Sequence, residues 1–81
     1  MNAADLTRAA EALFTALLEP SDHLDATQVR AAVAWRTAML TEREIAAMVA
    51  KEYGDHEDQA ARRMRWCLIA VREAFATADA L

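Results

Sequence analysis

Two reciprocal capping signatures decide where helices begin in this chain. In the first, the Thr41 hydroxyl can accept from the Glu44 amide while the Glu44 carboxylate reaches back to the Thr41 amide. Asp25 and Gln28 repeat the arrangement. Each pair is flanked by apolar residues at staple spacing, Leu24 with Val29 and Leu40 with Ile45. Asn2, with Asp5 at the third helical position, marks a third start. The stops are equally sparse. The only proline, Pro20, closes a first helix running to about Leu18, and the only glycine, Gly54, is expected to end a third in left-handed conformation. Asp55 then offers a cap for the next helix, with Glu57 and Asp58 in its first turn.

These marks divide the chain into four helices: residues 2–18, about Ala26–Leu40, about Glu42–Tyr53, and a long last helix through Phe75. Alanine is abundant, and Val, Ile and Thr never alternate over a strand length. The expected fold is therefore all-α, a compact bundle of four helices in one domain over residues 1–81. A chain of 81 residues buries a modest core and is marginally stable alone.

Helical periodicity assigns the faces. Leu6, Ala10, Leu13, Phe14 and Leu17 share one side of the first helix. The second is apolar over most of its circumference, through Val29, Val33 and Leu40 and then Ala32, Trp35 and Met39. That pattern predicts a central helix with Trp35 in the core. Arg36 falls on the same arc, so it requires an acidic partner or a route to the edge. In the third helix Ile45, Met48 and Val49 face inward.

The last helix has two faces. Ala60, Met64, Cys67, Leu68, Val71 and Phe75 fall on one arc, the core face. Opposite lie Arg62, Arg65 and Arg72, with Trp66 and Ile69 among them. A helix that only walls a core is polar on that side. Arginine and tryptophan are the residues most enriched at binding hot spots, so this pattern reads as a contact surface. The surplus apolar side chains Trp66, Ile69, Phe14 and Leu18 suggest a homodimer.

Little points to chemistry. Asp22, His23 and Asp25 share a loop but have no fourth ligand at a recognised spacing, so no metal or other cofactor is expected. Cys67 sits on a core face, His23 and His56 in turns, and one glycine cannot build a phosphate loop. No enzyme is expected. A lone cysteine suits a reducing cytoplasm. Asp5, Arg8 and Glu11 break the first apolar run, which argues against a secretory leader, and no run approaches the roughly 18 apolar residues of a membrane span.

Thr41-x-x-Glu44-Ile45-Ala46, the spacing of Ala50 to Gly54, and an arginine-rich helix beyond resemble the helix-turn-helix superfamily over Thr41–Arg65. That resemblance implies a DNA-binding regulator of transcription. Gln59, Arg62 and Arg63 would then reach base edges, and Arg65, Arg72, Lys51 and Arg43 would meet phosphates. The sequence departs from the pattern at position 63, where an apolar residue is expected and the apolar residue, Met64, comes one later. A DNA-binding regulator is the leading expectation; the formal net charge of −4 and the acidic start of the last helix suit its alternative better, a protein-binding regulator or inhibitor, antitoxin- or anti-effector-like, that uses Arg62, Trp66 and Ile69 without nucleic acid.

Overall fold

The computed structural model describes residues 1–79, with side-chain environments through Ala76. Helix α1 spans Ala3–Thr15, α2 Ala26–Met39, α3 Glu42–Asp55 and α4 Glu57–Asp79. A single turn of 3-10 helix, Pro20–Asp22, lies between α1 and α2. Three of the four expected caps form. The Asn2 side chain accepts from the Asp5 amide at 2.8 Å. Asp25 and Gln28 exchange hydrogen bonds of 2.8 Å each, and Thr41 and Glu44 exchange bonds of 3.0 and 3.1 Å. The Thr41 amide, followed by its hydroxyl, holds the Glu44 carboxyl below the usual range. Leu24 and Leu40, the residues before two of the caps, pack half-buried against the core.

The centre of the bundle is α1. Its Ala9, Ala10, Ala12, Leu13 and Phe14 are buried, and it packs against all three other helices. Small side chains on several sides of one helix let neighbours approach from several directions. The expectation of a central α2 is corrected. Only Val29 and Val33 of that helix are buried, and Trp35 is 66% exposed. An all-round apolar pattern shows that a helix can be buried anywhere on its circumference, not which side is. The core is completed by Ile45 of α3 and by Ala60, Cys67, Val71 and Ala74 of α4.

Helix α1 ends at Thr15, short of the expected Leu18. Ala16 turns to extended backbone, and Leu17, placed by periodicity on the core face, is 99% exposed. The loop that follows is tied locally. The Glu19 amide donates to the Asp22 carboxylate at 2.7 Å, and His23 takes a left-handed φ of 52°.

Long arginines fasten the helices to one another. Arg36 stays half-buried and pairs with no acid: its Nε donates to the Thr15 hydroxyl at 3.0 Å, and that hydroxyl donates to the Ala12 carbonyl at 2.8 Å. Arg30 donates from Nη1 to the Ala74 carbonyl at 2.7 Å, joining α2 to α4. Arg8 bridges to Glu42 of α3 at 3.2 Å.

The α3–α4 junction also differs from expectation. Gly54 is helical, without positive φ, and α3 continues through Asp55. Asp55 does not cap α4. Its carboxylate takes the Lys51 ammonium at 2.6 Å, one turn back, and this contact holds the carboxyl below its usual range. The pair spans the glycine and carries the helix past it. His56 is the single residue between the helices: its amide donates to the Glu52 carbonyl and its carbonyl accepts from the Ala60 amide. A helix-turn-helix unit uses a turn of about three or four residues.

Since a Cβ at Gly54 would meet nothing within 4 Å, Gly54→Ala should stabilise the fold by about 0.5–1 kcal/mol. Thermal melting followed by circular dichroism checks this. A lower melting temperature would place the glycine in the left-handed conformation after all.

Candidate binding face on the fourth helix

Along α4, Gln59, Arg62, Arg65, Ile69 and Arg72 are exposed and form an outward row at steps of three and four residues. Ile69 is 55% exposed and lies four residues after Arg65 and three before Arg72. Arg62, Arg65 and Arg72 make no ion pair with any described residue. Three cations and an isoleucine therefore stand together on one solvent face. Of the acids of α4, Glu57 and Asp58 lie in the first turn, where the macrodipole favours them, and the exposed Glu73 follows Ile69 by four residues at the far end of the row.

Trp66, grouped with this row by its spacing, and Arg63, added to it by the helix-turn-helix resemblance, turn the other way. Arg63 closes the end of α1. Its Nε donates to the Phe14 carbonyl at 3.0 Å, Nη1 to Leu18 at 2.8 Å and Nη2 to Ala16 at 2.7 Å. The Arg63 guanidinium carbon lies 5.5 Å from the centroid of the Phe14 ring and 5.5 Å from that of Trp66. Glu19 adds a looser contact at 3.9 Å. The guanidinium thus lies close to two aromatic rings while it satisfies the Phe14 carbonyl in the last turn of α1 and the Ala16 and Leu18 carbonyls just beyond it. Position 63 faces inward, as the helix-turn-helix pattern expects of an apolar residue, but arginine fills it. Directed at α1, Arg63 is not positioned to read a base.

Two clefts flank this cluster. One, of about 650 Å³, is lined by Leu17, Met48, Lys51, Gln59, Arg62 and Arg63. Leu17 and Met48, 99% and 41% exposed, give it an apolar margin. Reasoning from periodicity missed both, because it extended α1 and placed Met48 inward. A signal for Leu17 existed: Glu19-Pro20 disfavours helix in the residues just before it. The second cleft, of about 460 Å³, lies between Trp66, Ile69 and the Pro20–Ala26 segment.

Among the described residues no three His, Cys, Asp or Glu side chains group as metal ligands, and no helix is long and apolar enough to cross a membrane. Asp22 binds the Glu19 amide and Asp25 the Gln28 amide, so both carboxylates of the loop serve as caps. Cys67 is fully buried. Burial pushes its thiol up to about 11, against a smaller lowering by Arg63. No protein-family model matches the chain, and neither a curated protein nor a solved structure shows significant similarity to it.

Two measurements follow from these placements. Arg63→Ala should cost about 2–4 kcal/mol and lower the melting temperature by at least about 8 °C, whereas Arg62→Ala should stay within about 0.5 kcal/mol of the parent. Equal melting temperatures for the two variants would remove the structural role of Arg63. Cys67 should react with a disulfide reagent at pH 8 only after unfolding. Its folded thiol keeps its proton above the ordinary value of 9.0, so the stability it contributes is full below about pH 9 and lost as pH rises toward 11. Rapid labelling of the native chain would contradict that burial.

Proposed function

We propose that this chain is a small protein-interaction module, a regulator or inhibitor that binds an acidic, partly apolar partner surface through the outer face of α4. One observation carries the proposal: Arg62, Arg65 and Arg72 have no acidic partner among the described residues and alternate with the exposed Ile69. Arginine carries its charge on a planar fork that pairs bidentately with carboxylates, and its stem covers apolar surface. Isoleucine among such side chains supplies the apolar centre that a binding patch needs, with the arginines as its rim. Arg62 also borders the cleft that exposes Leu17 and Met48, so the apolar area continues around the side of the helix.

The same arginines would suit phosphates, and the DNA-binding reading rests on them. Three features favour a protein partner over DNA. The one-residue α3–α4 junction leaves little of the turn from which a recognition helix projects. The end of α4 that would enter a groove first carries exposed Glu57 and Asp58. The net charge of −4 opposes a polyanion at long range. The buried, reduced Cys67 suits the cytoplasm.

Fluorescence anisotropy with two labelled probes tests the reading. One is a helical peptide with leucine on one face and glutamate along its edges; the other is a random-sequence DNA duplex. The peptide should bind at near-physiological salt, and the double variant Arg62→Glu/Arg65→Glu should weaken it at least about tenfold, with Ile69→Ala also weaker. Duplex binding that falls steeply with salt and vanishes in the double variant, without peptide binding, would transfer the function to nucleic acid.

A further inference from the structure

Helix α2 carries a second surface, independent of the α4 face. Its Ala31, Ala34, Trp35, Ala38 and Met39 are all exposed and follow the spacing of one helix side. Trp35 is 66% and Met39 57% exposed. The polar residues beside them, Thr27, Gln28 and Thr37, are uncharged. The two charges of α2 are drawn inward, Arg30 to the Ala74 carbonyl and Arg36 to the Thr15 hydroxyl. Every exposed side chain of α2 is therefore uncharged, with Arg30 and Arg36 half-buried at the edges of this face, on a chain in which 27% of residues are charged.

We infer that this face of α2 pairs with the same face of a second copy, forming an antiparallel, two-fold symmetric helix pair around Trp35. Charge is the first argument. Two copies of a chain with net charge −4 repel at most of their surface, and a neutral face is where they can approach without desolvating or opposing like charges. A partner chosen by charge, such as an acidic protein or a nucleic acid, finds nothing to pair with there. The second argument is shape. Large and small side chains are offset along α2, so the antiparallel register that brings each Trp35 level with the partner's Ala38 also brings each Met39 level with the partner's Ala34. Bulky groups then meet alanines, and the alanines permit close approach. Opposed helix dipoles favour the antiparallel sense.

Area is the third argument. Trp35, Met39 and the three alanines expose roughly 400 Å² of apolar surface, in the range of the largest patch of an ordinary monomer and often functional. Two copies would remove about 800 Å² of apolar area plus a polar rim, which reaches the low end of specific interfaces, about 1,200 Å² in all. The dimer is accordingly reversible and concentration-dependent, with tryptophan as its hot spot.

Sedimentation velocity over a concentration series from low to high micromolar tests this with the full chain, Trp35→Ala and Ala38→Glu. The parent should pass from monomer to dimer, and each variant should raise the dissociation constant at least about tenfold with an unchanged melting temperature. The two variants act by truncation and by charge, so a folding loss in one leaves the other to decide. A parent that stays monomeric throughout, a dimer that survives both substitutions, or open-ended association would each overturn the inference. Peptide binding at the α4 face is measured separately and stands or falls by itself.

Discussion

A helix end leaves carbonyls without donors, and in this bundle one guanidinium supplies one of them, at Phe14, together with two carbonyls of the loop just beyond. Arg63 of α4 binds the Phe14, Ala16 and Leu18 carbonyls, so the central helix stops, turns and stays docked through a side chain 49 residues away from Phe14. The contact fixes more than one element. It holds the first residues of the loop that returns the chain to α2, and it brings the cation within 5.5 Å of the centroids of both the Phe14 and the Trp66 ring. Phe14 in turn stacks on Tyr53 of α3, with centroids 6.3 Å apart. Charge-assisted bonds to main-chain oxygen are stronger than neutral ones, and a fork with several donors can serve several carbonyls at once. Lysine, a point charge on a flexible stem, could not replace that geometry.

The other arginines of the bundle follow the same logic. Arg30 and Arg36 each cross from α2 to a neutral oxygen on another helix, a carbonyl and a hydroxyl. Such contacts need no acid, which leaves the carboxylates free for caps and for the surface. Because three arginines are committed inside the structure, Arg62, Arg65 and Arg72 of α4, with Arg43 of α3, stand out as making no hydrogen bond or ion pair with a described residue.

What could be read from the sequence was local. Asn2, Asp25 and Thr41 cap helices because the partner of each lies three residues ahead, within reach whatever the rest of the chain does. Four helices and no strand among the described residues follow from those marks and from the abundance of alanine. The direction of a side chain across the bundle was another matter. Arg63 and Arg62 are neighbours in an arginine run, and only the arrival of the α1 carbonyls separates a clamp from a surface charge. Trp35 looked buried because tryptophan is apolar and its helix is apolar all round, yet the thin, alanine-lined α1 took the central place. Gly54 looked like a stop, and the Lys51–Asp55 pair carried the helix past it. Of the candidate site, Arg62, Arg65, Ile69 and Arg72 share the exposed row that spacing implied, and Gln59, named through the helix-turn-helix resemblance, extends it. Arg63 and Trp66 do not, because helical periodicity alone does not place the neighbouring elements.

The alanines of α1 have a consequence for how this chain can change. Ala10 and Ala12 have no exposed surface, and Ala9 has almost none. Where a core is filled by large side chains, variation usually removes atoms and leaves holes. Here the innermost positions already hold the smallest side chain with a Cβ, and other helices press on them from several directions. Enlargement, not loss, is the hazard: one added methylene has no void to enter and must push whole helices apart. The middle of this molecule is therefore governed by a minimum distance between helix axes, and drift in its sequence should be freest at the periphery and narrowest along that one slender column.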